Sequence, residues 1–344
     1  MSELFRDHTT LRLGGPARSW VKATSEAELV EAVTGTDDAG EPVLVLGGGS
    51  NLVVSDSGFG GTVVQVATTG ITADADDPDD LACLGAVTVT VAAGESWDDL
   101  VAHAVKQGWV GVEALAGIPG LVGATPIQNV GAYGQEVSQT IAQVRTWDRG
   151  GSALRTFSAS ECGFGYRTSR FKQEPLRYVV LDVTFLLRQG TLGAPVQYAE
   201  LARTLGVEIG ERAPLPDVRE AVLALRRSKG MVLDADDHDT WSAGSFFTNP
   251  IVDPDLVPEG APAWSQADGR VKTSAAWLIE RSGFGKGYGE GRVRLSTKHT
   301  LAITNRGDAT TAELIELARE VRNGVRDRFG IELVNEPVLV GCTL

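Results

Sequence analysis

Gly120–Gly134 reads GLVGATPIQNVGAYG. With Gly117 just upstream, five glycines fall within eighteen residues (Gly117, Gly120, Gly123, Gly131 and Gly134) around a polar core of Thr125, Gln128, Asn129 and Tyr133. Such density without low-complexity repetition points to main chain held close to something bulky. The polar side chains between the glycines suit the reading of hydrogen-bonding edges, and amides at tight turns cradle phosphates. A bound nucleotide cofactor is the leading inference, and a tight turn between domains is the alternative. A second turn of matching character strengthens the first reading. The short apolar strand PVLVL, Pro42–Leu46, runs directly into Gly47, Gly48, Gly49, Ser50 and Asn51. Consecutive glycines after a strand leave amides open to a pyrophosphate. The turn does not spell the dinucleotide fingerprint GxGxxG, and the chain has no GxxxxGK[ST] loop. A cofactor bound there is expected on neither a Rossmann unit nor a P-loop, and flavin adenine dinucleotide held by another fold fits better.

Composition sets the frame around these turns. A chain of 344 residues accommodates two or three domains, each with its own core. The net charge of −14 opposes a general nucleic-acid binder, which needs a basic surface. No run approaches a membrane span, and the charged N-terminus MSELFRDHTT carries no secretory signal. Cys83, Cys162 and Cys342 form no CxxC pair, which fits a reducing cytoplasm. His8, His103, His238 and His299 lie far apart, so no metal site is signalled.

Three regions separate along the chain. Residues 1–70 hold a strand over ARSWVKAT, a helix opened by Ser25 and Glu28 and running to about Thr36, and the PVLVL strand. Residues 71–230 repeat the logic with the strand VTVTVAAGE and a helix over Asp98–Gln107. Further antiparallel strands QVRTWDR and YVVLDVTFLL flank the motif ECGFGYRTSRFK. Asp217 and Glu220 are expected to cap a helix that ends at Lys229 and Gly230. Residues 231–330 contain the helix TSAAWLIERSG, the strand TLAITNRG and a long amphipathic helix. That helix starts at Thr310 and Glu313, buries Leu314, Leu317, Ala318, Val321 and Val325 on one face, and stops at Gly330. A last strand over 331–344, carrying Glu336, is expected to return to the second region. The acidic segments Asp74–Asp80 and Asp234–Asp239 read as solvated loops without a chemical role.

Three polar points stand out. Arg167 lies in GFGYRTS, Ser245 in AGSFFTNP and Glu336 in VNEPVLVG. Taken singly, each has a plainer reading: a surface cation, a turn residue and an acid on a strand edge. Taken together with PIQNVGAYG, FGYRTSRFK, KTSAAWLIE and NEPV, in this order from about Thr10 to Cys342, they make the chain resemble the UDP-N-acetylenolpyruvoylglucosamine reductase family (MurB). The PIQN form of the glycine segment and QYAEL around Tyr198 resemble its type I branch, which has a tyrosine-bearing loop that closes over substrate.

The resemblance implies an α+β fold. Its parts are a two-part FAD-binding domain of the vanillyl-alcohol oxidase / p-cresol methylhydroxylase type and an α+β substrate-binding domain. It implies that Gly47, Gly48, Gly49, Ser50 and Asn51 hold the FAD pyrophosphate. Ile118, Pro119, Gly123, Thr125, Asn129, Gly131 and Tyr133 then line the flavin. The Gly47–Asn51 turn has no histidine, so the FAD is expected to be non-covalent. The implied activity is NADPH-dependent reduction of the enolpyruvyl group of UDP-N-acetylenolpyruvoylglucosamine to UDP-N-acetylmuramate, with hydride from reduced FAD to C3 and a proton to C2. Ser245 matches the proton donor, Arg167 the cation that steadies charge on the enolate and carboxylate, and Glu336 the acid beside it. Tyr198, Lys229 and Asn249 match contacts to the diphosphate, with Gln266 and Lys272 as weaker candidates. A cytoplasmic monomer without nucleic-acid or membrane partners is expected, and no metal.

Thr248, Asn335 and the long acidic stretch MVLDADDHDTW depart from the family pattern, and none touches a residue assigned to the chemistry. Another flavin oxidase and a non-catalytic nucleotide-sugar sensor remain as alternative classes. The first would need its own acid–base group; in the second, Ser245, Arg167 and Glu336 would be the first residues to decay.

Overall fold

The computed structural model describes residues 3–75 and 85–344. Cys83 and most of the Asp74–Asp80 segment lie outside that range. The chain forms two compact units. One comprises 19–48 and 61–227; the other is assembled from 1–18, 49–60 and 228–344. These limits differ from the three sequence regions, because the second unit draws its members from both ends of the chain.

In the first unit the helix Glu26–Asp38 begins where Ser25 accepts the N–H of Glu28 at 3.2 Å, while Glu28 reaches back to the N–H of Thr24 at 2.7 Å. The first bond satisfies an orphan donor of the first turn, and the second ties the residue before the cap to that turn. The strand Val43–Leu46 pairs in parallel with Phe59–Val66, residue Val43 opposite Thr62, and Ala17–Ala23 flanks the other side. A larger antiparallel sheet follows in the order Ala153–Ser158, Ile141–Asp148, Tyr178–Gln189, Ala86–Ala92 and Ile71–Ala75. Asp74 is a member of that last strand, opposite Thr88, and so is not in a loop. The alternation of VTVTV puts Val87, Val89 and Val91 on one fully buried face. The helix Trp97–Gln107 starts at Ser96 and ends at Gly108, whose φ of 74° is the left-handed C-cap. Trp97 is completely buried, and its indole N–H donates to the carbonyl of Leu115 at 3.0 Å.

The helix Leu215–Ser228 begins two residues before the expected cap, so Asp217 sits inside its first turn. There it still favours the positive end of the helix dipole. Gly230, at φ 65°, follows the helix as expected.

In the second unit the helix Thr311–Phe329 carries the full capping box of Thr310 and Glu313 and stops at left-handed Gly330. Leu314, Leu317, Ala318, Val321 and Val325 are buried against Leu278, Ile279, Phe246 and Phe247. The final strand is Val338–Val340, and it pairs in parallel with Leu52–Val54, not with residues 71–230. Leu52–Val54 is buried throughout, so its main-chain groups require a ladder partner, and the terminal strand supplies one. Glu336 stands just before this strand, half-buried, and not within it.

Candidate active site

The glycine segment is shaped mainly by contacts within the protein. A Cβ on Gly48 would lie 2.8 Å from the Cα of Gly120, and one on Gly123 only 2.5 Å from the Cβ of Ala93. Gly49 has φ 59°, and its Cβ would meet the carbonyl oxygen of His8 at 1.9 Å. The bulk that these glycines avoid is main chain and an alanine. Gly47 is different: a Cβ there meets only Leu121 and Ala124, at 3.8 and 3.9 Å, and the residue is half-exposed. The turn Gly47–Asn51 holds no carboxylate and no side chain larger than asparagine. Half-exposed Gly47 and Gly48, with no side chain and no charge, leave main-chain donors of the kind that fits a diphosphate, and Ser50 and Asn51 belong to the other unit.

Beyond it, Thr125 and Asn129 are 3% and 1% exposed. Thr125 donates its hydroxyl to the carbonyl of Val122 at 2.8 Å. The Asn129 amide donates to Glu136 at 2.8 Å and to the carbonyl of Gly165 at 3.1 Å, and its Oδ1 accepts the N–H of Ser138 at 3.2 Å. These side chains hold the protein's own loops and do not present hydrogen-bonding edges. Residues Gly131–Ala132 and Gln135–Glu136 form a hairpin. Its two central residues, Tyr133 and Gly134, have φ 48° and 86°, the signs that a type I′ turn requires. Ile118, Pro119 and Gly131 are half-buried in the same unit.

Arg167 belongs to this unit, with φ 52°. Its guanidinium donates to the carbonyl of Gly131 at 2.8 Å and to that of Asn129 at 3.4 Å. The arginine is thus aimed by the glycine segment, whose Asn129 is in turn fixed by Glu136. Lys172 donates to the Arg167 carbonyl at 3.0 Å, which steadies the left-handed residue from its other end. Tyr198, 45% exposed, sits just before the helix Ala199–Leu205 and meets Tyr133 edge-on, with ring centroids 5.4 Å apart.

Ser245 and Glu336 belong to the other unit and are brought together there. Phe247 and Asn335 form an antiparallel bridge, Glu336 N–H donates to the Phe246 carbonyl at 2.8 Å, and Thr248 N–H donates to Val334 at 3.0 Å. Two buried phenylalanines, Phe246 and Phe247, anchor this ladder in the core. Asn51 joins it: its amide donates to the Glu336 carbonyl at 3.3 Å, and its own carbonyl accepts from Val338 at 3.0 Å. The Thr248 and Asn335 positions that depart from the family pattern are both in this ladder, where the main chain does the pairing.

Of the substrate candidates, Asn249 uses Oδ1 to accept the N–H of Ala275 at 2.9 Å, which leaves its amide as a donor. Lys229 follows the helix Leu215–Ser228 and is half-buried. Lys272 is opposite Trp264 in a small sheet, its ammonium 5.7 Å from the indole centroid. Gln266 donates to the carbonyls of Trp264 and Ser265 at 2.9 and 3.1 Å, so its donors are occupied locally.

Two residues gain a role only in the structure. Glu113, fully buried, accepts N–H groups from Gly111 at 2.7 Å, Gln135 at 2.9 Å and Ala194 at 2.6 Å. His299 lies with Nε2 3.5 Å from the Ser245 hydroxyl. Neither stands in a motif of its own, since each is defined by partners distant in sequence. The Asp234–Asp239 segment is no plain solvated loop. Asp239 is 4% exposed, accepts from the Thr297 N–H at 2.9 Å and from the Thr297 hydroxyl, and pairs with Arg306 at 2.9 Å. Burial pushes its carboxyl up, but the Thr297 and Ser296 hydrogen bonds and the Arg306 charge outweigh that and hold it below the ordinary range. Among the described residues no cluster of His, Cys, Asp and Glu is placed to hold a metal ion, and no helix is long and apolar enough to cross a membrane.

Residues 17–156 match the family described as FAD binding domain, which puts this α+β chain in the class of flavin-binding proteins. Residues 236–340 match the UDP-N-acetylenolpyruvoylglucosamine reductase C-terminal domain. Over 339 residues the chain is 62% identical to the UDP-N-acetylenolpyruvoylglucosamine reductase of Cutibacterium acnes, covering 98% of this chain and 89% of that one. It is 58% identical to that of Thermobifida fusca, covering 98% and 97%. The crystal structure of the Thermus caldophilus reductase (MurB) shares the fold, with a TM-score of 0.64 at 24% identity over 99% of this chain and 98% of that one. The chain belongs to the UDP-N-acetylenolpyruvoylglucosamine reductase family.

Proposed function

We propose that the protein uses NADPH to reduce the enolpyruvyl ether of UDP-N-acetylenolpyruvoylglucosamine, giving UDP-N-acetylmuramate for peptidoglycan precursor synthesis in the cytoplasm. The reading rests on the 62% identity to a reductase of that name across nearly the whole chain. FAD, when bound, supplies the carrier through which hydride from NADPH reaches C3 of the enolpyruvyl group. Gly47, Gly48, Gly49, Ser50 and Asn51 are the residues assigned to its diphosphate, and Ile118, Pro119, Gly123, Thr125, Asn129, Gly131 and Tyr133 to the flavin side. Because the Thr125 and Asn129 side chains are spent on the protein, their contribution is to shape main chain.

The protein's own groups handle charge and proton. As C3 gains hydride, negative charge develops at C2 and on the carboxylate. Arg167 is a fixed cation for that charge, its guanidinium held in place by two carbonyls before substrate arrives. Such preorganisation avoids reorienting a dipole during the reaction. Glu336, when protonated, donates a hydrogen bond to the enolic oxygen, as an ionised carboxylate cannot. Ser245 gives its hydroxyl proton to C2. A serine is a weak acid, but the carbanion is a far stronger base, so the transfer runs downhill. Tyr198, Lys229 and Asn249 receive the diphosphate, one cation and two neutral donors; Lys272 and Gln266 serve the same domain, Gln266 with the least donor capacity left.

The experiment is an anaerobic visible spectrum of the FAD-loaded protein with NADPH, then with the enolpyruvyl sugar. Bleaching by NADPH and recovery of colour only on adding the sugar is the expected result. Bleaching without recovery points to a different flavin enzyme, and a protein unable to take up FAD refutes the proposal.

A further inference from the structure

We infer that His299 is a positioning residue for Ser245: its Nε2–H donates to the serine oxygen, turns the hydroxyl proton away from the ring, and steadies the oxygen once that proton has left. The inference rests on the reading of Ser245 as the proton donor to C2.

The geometry begins with the 3.5 Å between Ser245 Oγ and His299 Nε2. That is the long limit of a hydrogen bond, as is common at catalytic pairs before substrate tightens them. What makes the contact more than proximity is the way the histidine is held. Ser296, fully buried, accepts the N–H groups of Lys298 and His299 at 3.0 and 3.2 Å. The Ser296 N–H donates to the Ala302 carbonyl at 2.8 Å, and Ala302 N–H donates back to His299 at 3.1 Å, so the turn is closed on itself. The Leu301 carbonyl accepts the N–H of Phe246 at 2.8 Å, which ties the turn to the residue next to Ser245. Thr300 adds a hydroxyl bond to Glu280 at 2.6 Å.

The acidic insertion braces the same turn from outside. Asp239 takes both polar groups of Thr297, and Asp237 pairs with Lys298. Two carboxylates thus hold the residues immediately before His299. The long stretch between Lys229 and Ser245 gains a purpose here: it fixes the loop that presents the imidazole.

Chemistry decides the direction of the bond. A neutral imidazole offers one donor and one acceptor nitrogen. Were the serine to donate to a bare Nε2, the pair would be poised to make a nucleophile, and the proton would go to the ring. With Nε2–H donating, the hydroxyl proton remains for the substrate. When the Ser245 O–H bond breaks, the C2 carbanion's electron pair takes the proton to form the new C–H bond, and the negative charge stays on Oγ. The bond from Nε2–H then becomes charge-assisted, and a proton taken up from bulk solvent through water restores the hydroxyl, so that one solvent proton is consumed per turnover and no hydroxide is left.

The test compares His299→Gln, which keeps an N–H donor at similar reach, with His299→Leu, which has none. In anaerobic stopped flow, bleaching of the bound flavin by NADPH should be unchanged in both variants. Recovery of colour on adding the enolpyruvyl sugar should slow by about 10²-fold in His299→Leu, the usual cost of removing a donor to developing charge. His299→Gln should stay within about tenfold of the parent, since it keeps that donor. Nitrogen-15 NMR of the imidazoles, without substrate, reads the contact apart from activity. The protein has four histidines, and the His299 signal is the one lost in His299→Gln. It should report a proton on Nε2 and should shift in Ser245→Ala, while His8, His103 and His238 stay in place. A His299→Leu variant that recovers colour at the parent rate, or an imidazole with its proton on Nδ1 alone, overturns the inference and leaves the serine assignment intact. A Ser245→Ala variant that recovers colour normally overturns both. Should His299→Leu fold poorly, His299→Gln and the NMR tautomer carry the test.

Discussion

Replacing Asp239 by alanine tests how the acidic segment contributes to its unit. The carboxylate accepts bonds from the N–H and hydroxyl of Thr297, from Arg306 and from the Ser296 hydroxyl, at a site only 4% exposed. Hydrogen bonds to a charged group contribute about 1.5–3 kcal/mol each, and the donors left behind add their own desolvation cost. Breaking a buried pair costs about 3–5 kcal/mol, and the Arg306 side chain keeps 28% of its surface in water, which favours the lower end, about 3 kcal/mol. In a unit of roughly 150 residues that is a fall in melting temperature of about 6–12 °C. Asp239→Asn, which keeps an acceptor for Thr297, should lose about half as much, chiefly the charge-assisted share. Because the folded pKa is depressed, the stabilisation is complete above the unfolded value of about 3.9 and disappears as pH falls through the folded one. The gap between parent and Asp239→Asn should therefore close on acidification below about pH 4. Urea unfolding followed by tryptophan fluorescence at a series of pH values measures both. A loss under about 1 kcal/mol for the alanine variant, or a gap that persists in acid, refutes the reasoning.

Gly123→Ala and Gly47→Ala form a contrasting pair. The first forces a methyl to 2.5 Å from Ala93 and should cost about 1–3 kcal/mol in the cofactor-free protein, read by denaturant unfolding. The second meets nothing closer than 3.8 Å, so the cofactor-free protein should melt unchanged while FAD affinity, measured by fluorescence titration, falls about tenfold or more. Thr310→Ala removes one half of a reciprocal cap and should destabilise its unit by about 1 kcal/mol in the same unfolding assay. Cys162 is fully buried, and burial pushes its thiol up to about 12; iodoacetamide at pH 8 should leave it unmodified in the native protein and label it in urea, as read by peptide mass spectrometry.

Much of the fold was legible because its signals are local. Ser25 with Glu28, and Thr310 with Glu313 and Gly330, announce helices through bonds spanning three or four residues. The alternation from Val87 to Val91 announces a half-buried strand in the same way. What the sequence misstates is non-local. Glu336 in an apolar run reads as a strand residue, but the ladder there is divided between Phe246–Thr248 before the glutamate and Leu52–Val54 after it. The glycines of the cofactor segment look alike in sequence. Only three-dimensional neighbours separate Gly48 and Gly123, which make room for main chain and Ala93, from Gly47, which does not. Asp234–Asp239 has the composition of a solvated loop, and the partners that bury Asp239 arrive from positions 297 and 306. At the site, local pattern singles out Ser245 but not His299, because the link between them spans 54 residues.

The unit that contains Ser245 and Glu336 is sewn from both ends of the chain, and this bears on its biogenesis. As the polypeptide leaves the ribosome, residues 61–227 form a nearly continuous stretch able to fold while synthesis proceeds, at about 5–20 residues per second. Residues 49–60 and 1–18 must wait: the partner of Leu52–Val54 is Val338–Val340, made about 280 residues later. For that interval of some tens of seconds the buried strand Leu52–Val54 has an unsatisfied edge, a surface that invites wrong pairing. Ribosome stalling between residues 60 and 338 should accordingly expose this segment to holdase chaperones, with release once Val338–Val340 arrives.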